Sequence, residues 1–433
     1  MKKGKVKVYD KRTLEIILTD QREELEAKSS EVFCKRKEQT LIDLKSSQAQ
    51  VVIGVRRSGK STLCYQALQD AGVKYAYADF DDERLEGLSS DQLNDVLEIL
   101  YKVYGDFNYL FLDEIQNVEG WHLFVNRMLR KKMHVVITGS NAKLLSGELA
   151  THLSGRSKEI SLYPLSFGEY CVLTNTDTKT RSTKAEAFRR EAFDGYMKQG
   201  GFPELFDISD KSVYVKGLVD NILKRDIEER YKISYKAQFE KMAHHLLNIS
   251  PATYSATDLS DEFHFKSEHT SANYVGYLKQ AYLLLGLQKY SQKSKARTVG
   301  EKLYAVDVAM MDQRDNAFSG DNLGWRLETI VMIHLVRRCK LEGLDVYYYR
   351  EKSGECDFVI CRGNKAIQAI QVSYDISKEK TRKRELKGLC LAASVTKCEN
   401  LLLLTDHESE EVNVDGHNIK IQPVYEWCLE YMG

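Results

Sequence analysis

The sequence predicts an α/β fold built on a parallel sheet with helices on both faces, and three observations carry that expectation. Between residues 51 and 163, short apolar runs alternate with helical stretches, the rhythm of strand–helix–strand units. The runs are continuous rather than alternating in polarity, as strands buried on both faces require. The third is "VVIGVRRSGKST" at 51–62, which sets a glycine-bounded loop between the first run and the first helix, the spacing G-x4-G-K-S/T of a phosphate-binding loop.

The elements follow in order. Residues 1–35 form a helical lead-in, and the core domain spans 36–165. "VVIG" is its first strand, and "STLCYQALQDAG" is a helix with apolar residues on one side. "KYAYADF", "YLFLDEI", "HVVITGS" and "EISLYPL" are further strands. They are separated by the helical stretches "DQLNDVLEILYKVYG", "WHLFVNRMLRKK" and "AKLLSGELATHL". Across 166–235 helical periodicity takes over as a helical lid, broken by a Thr/Lys-rich loop near 173–184 and the turn "QGGFPE". Residues 236–310 read as three helices followed by the strands "LLGLQKY" and "EKLYAVD", the plan of a winged helix. The segment 320–433 opens with the apolar helix "GWRLETIVMIHLVRRC" and continues with "VYYYR", "CDFVI", "AIQAIQVS" and "NLLLLT", a further α/β unit.

Composition restricts partners. Lysine plus arginine and aspartate plus glutamate both number 63, so binding to nucleic acid must come from local patches rather than a bulk field. The first apolar run, "LEIIL", is too short and too charged for a signal peptide, and no run reaches the length of a transmembrane helix. Nine cysteines without a metal-spaced pair read as reduced thiols in a cytoplasmic protein.

The loop carries the chemistry. Gly54, Ser58, Gly59, Lys60, Ser61 and Thr62 make a nucleotide site in which backbone N–H groups and a helix N-terminus face the phosphates. Lys60 is placed for the terminal phosphates and Ser61 for magnesium. "YLFLDEI" delivers Asp113 as a second magnesium ligand and Glu114 to orient the attacking water. Asn141, after "HVVITGS", is placed to contact the terminal phosphate or water. Arg156 in "LSGRSKEI" is a cation for transition-state charge, contributed in cis or by a neighbouring subunit. Arg56 and Arg57, at variable loop positions, are free to point outward, to a neighbouring subunit, the N-terminal lead-in or the phosphates, with an interface the favoured expectation.

These residues, with "RRSGKST", "LFLDEIQ", "ITGSNAKLLSGELATHLSGR", "YPLSFGEY" and "GGFPE", resemble a bacterial and archaeal family of AAA-superfamily ATP-binding proteins with a C-terminal domain of unknown function. The resemblance covers about residues 35–425. It implies an AAA-type core, a winged-helix segment and a tail similar to the restriction-endonuclease-like fold, with ATP and magnesium as cofactors.

Two further regions bear on function. Lys289, Lys293, Lys295, Arg297 and Lys302 crowd the hairpin after the three helices, with Lys279 on the preceding helix. Such a wing fits a DNA phosphate backbone, a solvated tip or a protein contact. In the tail, Glu328, Asp357 and the strand "AIQVS" follow the order acid, acid, acid-x-lysine of restriction-endonuclease-like nucleases, whose chemistry needs two carboxylates and a lysine. Here Gln371 and Ser373 replace the last acid and the lysine, and Lys352 and Lys365 lie off the motif, so the tail reads as catalytically degenerate. The sequence thus points to a magnesium-dependent ATP hydrolase that couples nucleotide state to DNA, a homo-oligomer if Arg156 acts in trans. A nucleotide-gated switch for a protein partner and an ATP-dependent nuclease are the alternatives.

Overall fold

The structure is a computed structural model that describes residues 7–28, 33–140, 153, 155–291, 300–311, 322–352 and 354–430. The chain divides into two compact units. The first comprises Met1–Leu162 with Glu229–Lys232 and Gln280–Tyr282; the second comprises Tyr163–Glu228, Ile233–Lys279 and Leu283–Gly433.

In the first unit, helix α1 (Lys11–Ala27) precedes β1 (Ala49–Ile53), α2 (Lys60–Asp70), β2 (Tyr75–Asp79), α3 (Leu93–Tyr104), β3 (Tyr109–Asp113), α4 (Trp121–Arg130), β4 (His134–Gly139) and β5 (Ser157–Ser161). Asp10 caps α1 by accepting from the Thr13 N–H at 2.9 Å, which satisfies one of the helix's free amide donors. The strands form one sheet in the order β2-β3-β4-β1-β5, and every pairing is parallel. Each residue of β1 is buried, as the continuous apolar run requires of a central strand. The loop 54–59 therefore leaves the carboxyl edge of the sheet.

The second unit contains α5 (Phe167–Leu173), α6 (Thr183–Gln199), α7 (Lys211–Asn221), α8 (Lys236–Asn248), β6 (Ala252–Thr253), α9 (Ala256–Glu262), α10 (Glu268–Gln280), β7 (Leu284–Leu287), β8 (Lys302–Ala305), α11 (Leu323–Glu342), β9 (Asp345–Glu351), β10 (Gly354–Arg362), β11 (Lys365–Val372), α12 (Glu379–Thr396), β12 (Leu401–Thr405), β13 (Glu410–Val414), β14 (His417–Pro423) and α13 (Val424–Glu430). The short β6 joins β7 and β8 in a three-stranded antiparallel sheet, one strand more than the expected hairpin. The tail sheet has six strands in the order β13-β14-β12-β11-β10-β9. It is mixed: β11, β12 and β14 run parallel, while β9, β10 and β13 pair antiparallel.

Helix α11 is buried along most of its length, including the polar side chains Arg326, His334 and Arg337. Each has an answer inside the unit. Arg337 grips Glu169 with two bonds of 2.9 and 3.0 Å, both side chains almost fully buried. Glu169 also closes the capping box that starts α5, so one carboxylate serves both a helix end and a buried cation. Removing the guanidinium strands this charge. Arg337→Met is expected to lower stability by about 3–5 kcal/mol in denaturant unfolding, whereas a loss under 1 kcal/mol would show that the pair is not a fixed internal charge.

Candidate functional site

The first candidate site lies where β1, β3 and β4 end. Gly54 has φ +154°, and a Cβ there would stand 2.0 Å from the Leu162 carbonyl oxygen, so only glycine fits the start of the loop. Gly59, left-handed at φ +92°, caps α2. The Ser58 hydroxyl is buried without a hydrogen-bond partner. Such a cradle with an orphaned donor, beside a helix N-terminus, fits a phosphate chain. Thr62 follows half-buried in the first turn of α2.

Lys60 is buried and its ammonium donates to the Val55 carbonyl at 3.3 Å across the loop. It also lies 3.5 Å from Glu114. Ser61 donates to Asp113 Oδ1 at 2.9 Å, so the two residues expected at magnesium already touch. Three contacts were not foreseen. Thr138 of β4 donates to the same Asp113 oxygen, Tyr77 of β2 donates to the other at 3.2 Å, and the Glu114 N–H donates to Thr138 Oγ1 at 3.0 Å. Neighbouring parallel strands put these side chains at one edge, a placement the period of two could have suggested.

Glu114 stands in the left-handed region at φ +49°, which turns its carboxylate back over the loop. It accepts from the Ser140 N–H at 3.1 Å and from the Gln116 amide. Burial pushes its pKa up, but Lys60 and Arg56 more than offset this and hold it below its ordinary value. Asp113 moves the other way, raised by burial and by the Glu114 charge.

Arg56 corrects an expectation. Instead of pointing to an interface, it turns inward and pairs with Asp81 at 2.8 and 3.4 Å, because the acid after β2 lies beside the loop. Arg57 is exposed at φ +68°. Arg156 is exposed and precedes β5, whose Ser157 pairs with Ala49 at the amino edge of the sheet. It therefore does not join the loop of its own chain, and the cis half of that expectation fails. Asn141 lies outside the described residues.

The second unit gathers the tail residues and adds an unexpected one. Lys302, read from the sequence as part of a basic hairpin, is buried on β8 with its ammonium 2.7 Å from Glu328, 3.2 Å from Glu355 and 3.5 Å from Asp357. Burial alone would lower its pKa, but the three acids hold it well above its ordinary value. Asp357 accepts from the Val372 N–H at 3.0 Å. Gln371 accepts from the Asp357 N–H at 3.2 Å and donates to Glu385 of α12 at 2.7 Å. Gly388 lets α12 close on β10, since a Cβ there would meet the Glu355 carbonyl oxygen at 2.2 Å.

Other tail and hairpin residues fall differently. Lys365 opens β11 six residues from Gln371, about 20 Å along a strand, and the Ser373 hydroxyl donates to the nearby Asp375 carbonyl at 3.4 Å. Lys279 is not held out for a phosphate, since it pairs with Glu301 at 2.6 Å; Lys289 lies 3.5 Å from Glu351. Lys293, Lys295 and Arg297 lie outside the described residues.

A glycine-cradled loop between a buried strand and a helix, with a lysine, a hydroxyl and two carboxylates converging on it, defines a P-loop nucleotide-binding protein. Residues 46–171 match the AAA domain family, residues 190–319 the domain of unknown function DUF8612, and residues 323–426 the domain of unknown function DUF4143. Uncharacterized protein MJ1544 of Methanocaldococcus jannaschii is 34% identical over 405 residues, covering 90% of both chains. An uncharacterized protein of Haemophilus influenzae is 31% identical over 411 residues, 90% of this chain and 97% of that one. The chain belongs to the AAA-domain family that these proteins represent. Among solved structures, the Thermotoga maritima RuvB Holliday junction branch migration motor is 13% identical, with TM-score 0.28 over 67% of this chain and 95% of that chain. Replication initiator DnaA bound to AMPPCP and single-stranded DNA is 14% identical, with TM-score 0.26 over 59% and 91%. Likeness so distant carries no functional argument; the AAA domain itself supports nucleotide-hydrolysing chemistry. No described helix is long and apolar enough to cross a membrane.

Asp79, at the end of β2, gives this site a pH signature. Burial and the neighbouring Asp113 push its carboxyl up to about 8. The folded chain thus holds a proton that the unfolded chain releases near 3.8. Its contribution to stability is full below that lower value and is lost as pH rises to about 8. Asp79→Asn should therefore gain stability over wild type between pH 5 and 9 in nucleotide-free thermal melts, with the gap widening as pH rises; a gap independent of pH would refute the shift.

Proposed function

We propose that the protein is a magnesium-dependent ATP hydrolase that couples its nucleotide state to DNA. The observation that carries the first half is the convergence of Lys60, Ser61, Asp113 and Glu114 at the mouth of one loop. Gly54, Ser58, Gly59, Lys60, Ser61 and Thr62 would hold the triphosphate, and Ser61 with Asp113 would hold the magnesium ion. When bound, that ion supplies charge neutralisation to the β- and γ-phosphates. Glu114 orients the attacking water and accepts its proton. Asn141 contacts the terminal phosphate or the water.

Glu114 as it stands is engaged three ways, by Lys60, the Ser140 N–H and Gln116. It becomes a base only when those bonds loosen, and drawing the ammonium of Lys60 toward phosphate removes the first of them. Turnover is therefore gated by how the loop is filled. Arg156, exposed at the opposite edge of the sheet, would act on a neighbouring copy's nucleotide, which makes hydrolysis dependent on assembly.

The DNA half is supported by exposed basic side chains on α12, among them Lys383 and Arg384, each about three-quarters exposed. Steady-state ATP turnover with magnesium is the test. Glu114→Gln is expected to lower kcat by about 10²-fold or more while nucleotide still binds, and Lys60→Ala to abolish turnover by weakening nucleotide binding. Wild-type turnover in either variant would sink the site assignment. Duplex or single-stranded DNA should raise turnover at low salt, and indifference to both would sink the coupling.

A further inference from the structure

The acids and the lysine of the second unit form the floor of a cavity of about 840 Å³. Its floor and rim have opposite character. Asp357 and Glu385 are buried, Glu328 is partly buried, and all three are partnered. The rim is mainly basic, with Arg350 and Lys352 on one side beside the exposed acid Glu351, and Lys380, Lys383, Arg384 and Lys387 on α12; Arg350 pairs with Glu355 and Arg384 with Glu385. The spacing 380, 383, 384, 387 puts the four on α12 on one helical face. Lys383 pairs with Glu379 only in an exposed i,i+4 contact, which is weak in water. No described carboxylate pairs with Lys380 or Lys387. Trp325, about half-exposed, also lines the cavity.

A divalent metal does not fit the floor as it is built. Lys302 already stands within 3.5 Å of Glu328, Glu355 and Asp357, in the position a cation would take among them. No described group of three acidic, histidine or cysteine side chains has the arrangement to hold a metal ion. The last motif position is also committed elsewhere, since Gln371 bridges the Asp357 N–H and Glu385. These residues have become an internally neutralised support for the basic rim.

We propose that this cavity binds the phosphate backbone of a single DNA strand without a divalent metal and without cutting it, with Lys302 as the built-in cation among Glu328, Glu355 and Asp357. Exposed lysines and arginines at helical spacing answer a row of phosphates. Trp325 gives a base a face to stack on, a pairing that tolerates any sequence. The inference rests on the DNA reading above and narrows it to one surface and one form of DNA.

Fluorescence anisotropy with a labelled single-stranded 20-mer and the full chain tests it. Affinity in EDTA should be no lower than in magnesium, which competes for the phosphates, and the oligonucleotide should be recovered intact after incubation with magnesium or manganese. The double variant Lys380→Glu/Lys387→Glu should bind at least about tenfold more weakly at 50 mM salt. Its slope of log affinity against log salt should be shallower by about one for each lysine removed. Trp325→Ala should weaken binding with the slope unchanged, and Lys131→Glu, in the first unit, should bind as wild type does. If the double variant binds as tightly as wild type while wild type binds DNA, the cavity is not the contact and this inference falls, but the DNA reading survives. Failure of wild type to bind single- or double-stranded DNA at low salt would remove both. Binding that needs magnesium, strand scission, or a preference for duplex would overturn the assignment of this surface.

Discussion

The backbone of Gly54 passes so close to the Leu162 carbonyl that no side chain can stand between them. The Leu162 N–H in turn donates to the Ile53 carbonyl at 2.7 Å, so β5 is fastened to β1 at the point where the loop departs. The rest of the nucleotide site depends on that junction. With β1 fixed between β4 and β5, the loop, Asp113 and Thr138 can all arrive at one edge without any long side chain having to search for its place. Preorganisation of this kind is set by the backbone and carries little entropic cost at the moment of binding.

Both units solve the same electrostatic problem with a buried lysine. In the first, Lys60 offsets the charge of Glu114, while Asp79 and Asp113 remain crowded enough for their carboxyl pKa values to rise. In the second, Lys302 answers three acids at once and Asp357 still lies well above its ordinary pKa. The difference is one of release. Lys60 has only a carbonyl and a single carboxylate to leave, whereas Lys302 would abandon three partners. One lysine suits exchange with a ligand; the other suits permanence.

How much of this was legible varies by how local the information is. The phosphate loop and "YLFLDEI" were plain because each is contiguous and its chemistry follows from spacing. Lys302 was misplaced because a lysine in a lysine-rich hairpin looks solvated, and its acids lie 26 or more residues away. A signal existed: in "EKLYAVD", period two puts Lys302 on the same face as Tyr304, a buried ring that donates to Glu328 at 2.7 Å. The hairpin of β13 and β14 was also passed over, although Asp415 and Gly416 carry the positive φ of a tight turn. Arg56 was undecidable from the sequence, because the loops after β1 and β2 meet although β3 and β4 separate these strands in the sheet.

The matched segments 190–319 and 323–426 divide the chain between Lys302 and the acids that hold it. Cutting the chain between the segments would leave a buried ammonium on one side and its carboxylates on the other. Each half is a liability apart from the other. In this chain the ammonium and the carboxylates that hold it come from different matched segments, so the two segments share one electrostatic centre.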